Sequence, residues 1–223
     1  MTKELFISAI AKFLLGVVLV GVLIFLPAGT PDFFGGWLLM VILFVPMFGA
    51  GLVMMAKNPG LLRSRLNAKE KERTQSQVVK LSGLMFIAGF VLAGLDFRFG
   101  WLPMPRCVNL VGATLFLAAY LLYAEVLREN TYLSRTIEVQ QGQKVIDTGL
   151  YGIVRHPMYS ATVLLFLSMP LVLGSLIALI PFLFYPLLIA KRIENEEQVL
   201  EAGLEGYCAY KAKVKYRLIP YLW

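Results

Sequence analysis

The chain has 223 residues, of which 58% are hydrophobic and 16% charged, and its mean hydropathy is +0.72. These values lie outside the range of an ordinary soluble domain, so the composition indicates a protein of the bilayer. The formal net charge is +7, but the basic residues stand beside apolar segments and not in a soluble domain, so we expect no nucleic-acid partner. With one histidine and two cysteines, no set of soft metal ligands can be assembled, and we expect no metal.

Four apolar segments in the first part of the chain are each close to the roughly 20 residues that a helix needs to cross a bilayer. They cover residues 5–27, 33–56, 78–95 and 107–127. The sequence therefore predicts four transmembrane helices within residues 1–127.

A fifth apolar stretch, from Met158 to Ala190, is too long for one helix and carries Gly174 and Ser175 at its middle. This pair ends helices and forms turns, so the sequence predicts a transmembrane helical hairpin of two short spans over residues 157–190. Prolines inside the hairpin predict bent helices. They are Pro170, Pro181 and Pro186. With an amphipathic cytoplasmic tail after the hairpin, the predicted fold is a single all-α, polytopic integral membrane domain spanning residues 1–223.

Lysine and arginine are concentrated in one loop, residues 57–80, which holds seven of them. The seven are Lys57, Arg63, Arg65, Lys69, Lys71, Arg73 and Lys80. Because cytoplasmic loops of membrane proteins carry the excess of basic residues, we predict that this loop faces the cytoplasm. Counting spans from it predicts that both termini, the loop 128–155 and the tail after residue 190 face the cytoplasm as well.

The polar loop before the hairpin contains Tyr151 and the glycines Gly142, Gly149 and Gly152. Glycine lets backbone approach a ligand closely, and a tyrosine ring offers a flat face to an adenine. The same pattern is also typical of an interfacial loop with turn glycines, and both interpretations stay open.

Arg155 and His156 stand immediately before Pro157, a residue suited to the first turn of a helix. Helix N-termini attract anions, so the motif is a candidate seat for a carboxylate or a phosphate. In the alternative interpretation, Arg155 reaches lipid headgroups and His156 caps the helix at the interface.

Arg192 and Glu196 stand four residues apart and share a helix face if the helix continues beyond the hairpin. Glu196 could hold the ammonium of an amino-acid-like ligand, and Arg192 could clamp a carboxylate through two parallel hydrogen bonds. An ordinary surface ion pair is the alternative. Because the hairpin returns the chain to the membrane face from which it started, the loop, His156 and this pair can converge.

The spaced motifs over about residues 128–220 form a specific constellation. They are Gly149-Leu150-Tyr151-x3-Arg155-His156-Pro157-x-Tyr159, the hairpin, Arg192-x3-Glu196-Glu197-x2-Leu200 and Tyr207-x2-Tyr210. This constellation resembles the isoprenylcysteine carboxyl methyltransferase family, relatives of the membrane phospholipid methyltransferases. The resemblance implies a methyltransferase core over residues 128–223, with S-adenosylmethionine as methyl donor and S-adenosylhomocysteine as product. It also implies a site at the cytoplasmic face and a lipid-like or lipidated substrate that enters from the bilayer.

The resemblance further implies roles for individual residues. It implies that Arg192 is a catalytic residue directed toward the substrate and that Glu196 binds the cofactor. The other cofactor-binding residues that it implies are Gln140, Gln143, Lys144, Val145, Ile146, Tyr151, His156, Pro157, Met158 and Tyr159.

The expected activity is transfer of a methyl group to a lipophilic acceptor, with a carboxylate as the favoured acceptor, as in protein-S-isoprenylcysteine O-methyltransferases. A carboxylate nucleophile needs no general base, whereas an amine needs a proton acceptor, for which Glu197 or His156 could serve. Three alternatives stay open: a phospholipid or amine N-methyltransferase, a sterol-reductase-like enzyme that binds NADPH, and a non-catalytic membrane scaffold.

Overall fold

The computed structural model describes residues 3–66, 73–133, 137 and 139–223. This part of the chain contains helices and no strand, which confirms the predicted all-α class. The α-helices are α1 (Lys3–Ala28), α2 (Phe34–Lys57), α3 (Pro59–Leu66), α4 (Arg73–Phe99), α5 (Arg106–Glu129), α6 (Pro157–Leu173), α7 (Leu176–Phe182), α8 (Tyr185–Gly203) and α9 (Tyr207–Lys213). A short 3-10 turn, Gly149–Gly152, lies between α5 and α6.

Within the described residues, five helical segments are long and apolar enough to cross a membrane. The helices α1, α2, α4 and α5 account for four of them and coincide with the predicted spans, and the fifth, Leu176–Gly203, combines α7 and α8. Large apolar side chains point outward from the first helices, for example Leu15 (67% exposed) and Leu26 (73% exposed). Such outer surfaces are suited to lipid, and the chain is an integral membrane protein, as predicted.

The helix α3 lies in the basic loop, where the sequence analysis predicted no helix. Pro59 begins it, and the side chain of Asn58 accepts a hydrogen bond from the backbone N–H of Leu61 (3.0 Å). An asparagine cap followed by proline in the first turn favours helix initiation, so the signal was present in the sequence. Of the basic residues of this loop, Lys69 and Lys71 lie outside the described residues.

The turn of the hairpin lies at Gly174 and Ser175, as predicted. Gly174 ends α6 with a positive φ of 73°, a conformation that glycine adopts without steric cost. Ser175 caps α7 by accepting a hydrogen bond from the backbone N–H of Ala178 (3.1 Å), and its hydroxyl donates to buried Asp96 of α4 (2.5 Å). The side-chain amide of Asn109 in α5 donates to a carbonyl of α6 (2.8 Å), so neighbouring helices fix the turn.

The second arm of the hairpin differs from the single short span predicted to end at Ala190. It is broken at residues 183–184, and the helix after the break, α8, continues past Ala190 to Gly203. Pro181 and Pro186 flank the break, and each lacks a backbone N–H and crowds the preceding turn. The charged residues after Ala190 continue the helix because lysine, arginine and glutamate are good helix formers.

The helices α5 and α6 pack closely near the turn of the hairpin, and the tail docks at the opposite end of the bundle, which carries the candidate residues. A Cβ on Gly112 of α5 would lie 2.5 Å from a backbone nitrogen of α6, so these helices approach as closely as small residues allow. After α9 the chain runs along the start of α6, where the backbone N–H groups of Arg155 and His156 donate to the carbonyls of Tyr216 and Arg217 (2.9 Å each). The tail therefore closes this end of the bundle.

Candidate functional site

A cleft opens where the polar loop, the start of α6, the end of α8 and α9 meet. The space between these segments, including open solvent at its mouth, is about 820 Å³, and the site is a surface cleft and not a sealed cavity. Its lining combines polar, aromatic and apolar side chains from segments that are distant in the sequence. The lining residues are Asn130, Tyr132, Leu133, Ile137, Gln143, Lys144, Val145, Ile146, Tyr151, Arg155, His156, Met158, Tyr159, Arg192, Glu196, Leu200, Leu204, Tyr207 and Tyr210.

Most of the residues predicted for the site line this cleft. They are Gln143, Lys144, Val145, Ile146, Tyr151, His156, Met158, Tyr159, Arg192 and Glu196. The other two support it from outside. The backbone N–H of Gln140 donates to the Gln143 side chain (2.9 Å) and its amide donates to the carbonyl of Tyr132 (2.5 Å), so Gln140 braces the loop. Pro157 is the buried first residue of α6 and fixes where that helix starts.

The single histidine of the chain lies buried between two carboxylates. His156 is 5% exposed and occupies the N-cap position of α6, where its side chain makes no capping hydrogen bond. Its Nε2 lies 3.2 Å from Oε1 of Glu197, and its Nδ1 lies 3.8 Å from Oε1 of Glu196. The carboxylates therefore orient the imidazole, and the interfacial-cap interpretation does not describe it.

Glu197 is the centre of a buried charge cluster and is 2% exposed. It accepts hydrogen bonds from Nε of Arg155 (2.7 Å) and from Nε and Nη2 of Arg217 (3.2 and 3.1 Å). Nζ of Lys211 lies 3.5 Å away. Arg155 also donates to two carbonyls of the tail (2.7 Å each), so the cluster joins α8, the start of α6 and the tail.

This cluster answers two questions that the sequence left open. Arg155 is 7% exposed and donates to Glu197 and to the tail, so it does not reach lipid headgroups. Glu197 was a candidate proton acceptor for an amine substrate, but surrounding cations favour the ionised form of a carboxylate. It is therefore poorly suited to accept a proton, and its contacts give it a structural role.

Arg192 and Glu196 share a face of α8, as their spacing predicts, and the hydroxyl of Tyr159 lies between them. Nε of Arg192 donates to this hydroxyl (2.9 Å), which in turn donates to Oε2 of Glu196 (2.5 Å). Arg192 is 8% exposed, so the surface-pair interpretation does not describe it. The side chain of Glu196 is 23% exposed and lines the cleft, where a ligand can reach it.

A group of tyrosines forms the aromatic wall of the cleft. The hydroxyl of Tyr210 donates to the carbonyl of Tyr151 (2.7 Å), and the amide of Asn130 donates to the hydroxyl of Tyr151 (3.0 Å). The buried hydroxyl of Tyr207 has no hydrogen-bond partner among the residues that the structure describes. Burial raises the pKa of Tyr151, of Tyr207 and of Tyr210, so all three are neutral phenols at physiological pH.

The 3-10 turn Gly149–Gly152 holds Tyr151 against the cleft. The backbone N–H of Leu150 donates to both carboxylate oxygens of Glu129 at the end of α5 (3.2 and 3.0 Å). Gly149 has a φ of 52°, and a Cβ there would lie only 1.5 Å from Oε1 of Glu129. The positive φ therefore favours glycine at this position, and a larger residue would also displace the Glu129 carboxylate.

Sequence reasoning missed several lining residues, most clearly Tyr207 and Tyr210. Their spacing is part of the motif constellation, but it indicated no role for either tyrosine. Both reach the cleft only because the tail docks there. No sequence pattern indicated that Asn130 lines the cleft, because its position depends on where α5 ends. In the described ranges, no three His, Cys, Asp or Glu side chains come together to hold a metal ion.

Residues 110–202 match the model of the isoprenylcysteine carboxyl methyltransferase (ICMT) family. Over this segment, the chain is similar to that family. The resemblance on which the sequence analysis relied is thereby confirmed. The family segment starts within α5 and ends within α8, so it contains the polar loop, Tyr159, Arg192 and Glu196, whereas Tyr207 and Tyr210 lie beyond it.

The chain is also similar to a mouse protein, Delta(14)-sterol reductase TM7SF2 of Mus musculus. The two are 32% identical over 92 residues, which is 40% of this chain and 22% of the mouse protein. The chain thus matches about a fifth of the length of this curated relative. The similarity concerns a shared segment and not the whole of either protein.

Proposed function

We propose that this chain is an integral membrane methyltransferase that uses S-adenosylmethionine, releases S-adenosylhomocysteine and methylates a lipophilic acceptor, with a carboxylate as the favoured acceptor. One observation supports the proposal most strongly. The cleft that brings Glu196, Tyr159 and Arg192 together is built largely from residues 110–202, the isoprenylcysteine carboxyl methyltransferase family segment.

The side chains of the cleft fit the cofactor, which has an amino-acid end and an adenine end. Glu196 offers a partly exposed carboxylate for an ammonium, and the tyrosine rings offer flat faces for an adenine. The buried hydroxyl of Tyr207, unpaired among the described residues, would gain a partner from a polar ligand atom. The proposed cofactor-binding residues are Gln143, Lys144, Val145, Ile146, Tyr151, His156, Met158, Tyr159 and Glu196, with Gln140 and Pro157 as supports.

When bound, the cofactor would supply a methyl group on a positively charged sulfur. Arg192 would hold and orient an acceptor carboxylate through the two parallel hydrogen bonds that a guanidinium can donate. A carboxylate is already ionised at neutral pH, so no residue has to remove a proton from it. Alignment of the acceptor and exclusion of water are then the main contributions of the protein.

The proposed orientation places both termini, the basic loop 57–80 and the cleft on the cytoplasmic side. The excess of lysine and arginine in that loop supports it. The cleft lies at the same end of the bundle as the end of α5 and the start of α6, which the predicted order of spans puts on this side. A lipid-like or lipidated acceptor would reach Arg192 from the bilayer.

A reductase is the second candidate, and the similarity to the mouse sterol reductase is the observation that favours it. Such an enzyme would bind NADPH, whose additional phosphate calls for a cluster of cations. Among the described lining residues of the loop before Arg155, Lys144 is the only cation. This lining therefore suits S-adenosylmethionine better than NADPH.

Ligand-dependent stabilisation of the detergent-purified protein tests the proposal. We expect S-adenosylhomocysteine to raise the unfolding midpoint in a concentration-dependent way, because a ligand that binds the folded state stabilises it. NADPH should leave the midpoint unchanged. Stabilisation by NADPH alone would favour the reductase, and a response to neither compound would favour a non-catalytic scaffold.

Two matched variants on α8 locate the binding site. Glu196→Gln is expected to weaken S-adenosylhomocysteine binding at least about tenfold, because a hydrogen bond to a charged group contributes about 1.5–3 kcal/mol. Glu194→Gln makes the same change on the same helix at an exposed position outside the cleft, and its affinity should match the wild type. Calorimetric titration of both variants measures the difference, and equal losses would mean that Glu196 is not the cofactor carboxylate.

A further inference from the structure

The hydroxyl of Tyr159 connects the two side chains that the proposed function assigns to opposite halves of the reaction. It accepts a hydrogen bond from Nε of Arg192 (2.9 Å) and donates one to Oε2 of Glu196 (2.5 Å). A phenol has a single hydroxyl proton, and here that proton is directed to Glu196, so a lone pair of the oxygen faces Arg192. Each bond has one charged partner, and such bonds are shorter and stronger than those between neutral groups.

Burial keeps this bridge in one geometry. Tyr159 is 4% exposed and Arg192 is 8% exposed, so bulk water cannot easily replace either hydrogen bond. The bridge also crosses between elements, because Tyr159 lies in the first turn of α6 while Arg192 and Glu196 lie on α8. A hydroxyl held in this way constrains the guanidinium and the carboxylate relative to each other.

We propose that Tyr159 is the positioning residue that couples the cofactor side of the cleft to the acceptor side. The inference rests on the proposed function, since it takes Glu196 as the cofactor carboxylate and Arg192 as the acceptor clamp. It also refines the role implied for Tyr159 by the resemblance. Its hydroxyl is engaged by two protein side chains, and its contribution is to orient them.

Tyr159→Phe tests the bridge, because phenylalanine keeps the buried ring and removes both hydrogen bonds. We expect the Kd for S-adenosylhomocysteine to rise about fivefold to tenfold, since Glu196 loses a donor that orients it. We also expect the KM for the acceptor to rise by a similar factor, since Arg192 loses the acceptor of its Nε–H. Titration calorimetry gives the first quantity and steady-state methyl transfer gives the second, on the same preparation.

Tyr185→Phe is the matched control. Tyr185 is also buried (5% exposed), and its hydroxyl also joins α8 to α6, by donating to Oγ1 of Thr162 (3.1 Å). The substitution thus removes the same group from the same helix interface without removing the bridge to Glu196. Its Kd and KM are expected to stay within about twofold of the wild type.

The result that supports the proposal is a loss on both sides of the cleft in Tyr159→Phe with Tyr185→Phe unchanged. A rise in Kd alone would make Tyr159 a simple cofactor contact, and a rise in KM alone would make it an acceptor contact. Either result overturns the coupling. Equal effects of the two substitutions would also overturn it, because they would reflect helix packing in general.

A second variant keeps the test decisive if Tyr159→Phe lowers the unfolding midpoint. Arg192→Met removes both the cation on the acceptor side and the donor to Tyr159, and the bridge predicts that the Kd for S-adenosylhomocysteine nevertheless rises about threefold. An unchanged Kd would contradict the coupling. A different result would contradict the proposed function itself: a wild-type protein that binds no S-adenosylhomocysteine and transfers no methyl group.

Discussion

Glu196 and Glu197 are neighbours in the sequence but contact different parts of the molecule. Successive residues of an α-helix point about 100° apart, so one carboxylate faces the cleft and the other faces the cluster with Arg155 and Arg217. Their side chains are 23% and 3% exposed. The helix thus separates a carboxylate that a ligand can reach from one that holds the protein together.

Glu197→Gln is expected to destabilise the protein strongly. The substitution leaves the buried guanidinium of Arg155 and the partly exposed guanidinium of Arg217 without their carboxylate, and removing one partner of a buried ion pair costs about 3–5 kcal/mol. The unfolding midpoint, followed by intrinsic fluorescence in detergent, should fall by about 10 °C. Glu201→Gln changes an exposed carboxylate that accepts a hydrogen bond from Lys211, and its midpoint should stay close to the wild type. A wild-type midpoint in Glu197→Gln would mean that the cluster contributes little.

Arg192→Lys is expected to separate acceptor binding from cofactor binding. An ammonium can still donate to Tyr159, so the Kd for S-adenosylhomocysteine should stay close to the wild-type value. It cannot reproduce the planar fork of a guanidinium, so the KM for a carboxylate acceptor should rise about tenfold or more. Both constants are measured on one preparation. Normal turnover would argue against a carboxylate clamp and in favour of an amine or neutral acceptor.

At the scale of helices, the sequence predicts the long spans well and the interruptions poorly. The helices α1, α2, α4 and α5 can be predicted because an apolar segment of membrane length has few other stable conformations in a bilayer. The break before α8 depends on how Pro181 and Pro186 act together, which composition alone does not reveal. Asn58 and Pro59 mark the start of α3, but this helix has eight residues and lacks the long apolar segment by which the spans are predicted.

The candidate site was predictable to a similar extent. The predicted cleft residues between Gln143 and Glu196 followed from the family resemblance that the spaced motifs carry, whereas patterns of hydropathy and charge do not identify a ligand. The bridge through Tyr159 and the inward position of Glu197 could not be predicted from the sequence, because both depend on the rotation of α8 relative to α6. The wall made by Tyr207 depends on the docking of the tail, so no local sequence pattern predicts it.

Gly112→Ala is expected to destabilise the contact between α5 and α6. A Cβ at this position would lie 2.5 Å from the backbone nitrogen of Val172, so the helices would have to move apart, at a cost of about 1–3 kcal/mol. Gly83→Ala on α4 is the control, because a Cβ there meets nothing within 4 Å and alanine favours the helix. Thermal unfolding should give a lower midpoint for Gly112→Ala and an unchanged or higher one for Gly83→Ala. The same midpoint in both variants would rule out close packing at Gly112.

The molecule as a whole has two chemically different ends. At one end lie the cleft, with Arg192 and Glu196, and the buried cluster around Glu197. At the other end a smaller polar group formed by Asp96 and Ser175 fixes the turn of the hairpin. The charged end is the one that binds ligand in our proposal, and the excess of lysine and arginine in the loop 57–80 supports its proposed orientation toward the cytoplasm.

The two cysteines test that orientation, because both are exposed and they lie near opposite ends of the bundle. Cys208 is in α9 beside the cleft, whereas Cys107 is at the start of α5 near the hairpin turn. Single-cysteine variants in sealed vesicles should react with a membrane-impermeant thiol reagent from opposite sides, Cys208 from the cytoplasmic side. Reaction of both variants from the same side would contradict the proposed topology.

The docking of the tail has a consequence for the order in which the protein is made. Residues 207–217 follow α5, α6 and α8 in the chain, so they are the last of these segments to leave the ribosome. The wall formed by Tyr207 and Tyr210 is added only when that later segment folds back along the start of α6. Completion of the cleft therefore waits for the docking of the tail, and a chain whose tail has not docked lacks the wall of Tyr207 and Tyr210.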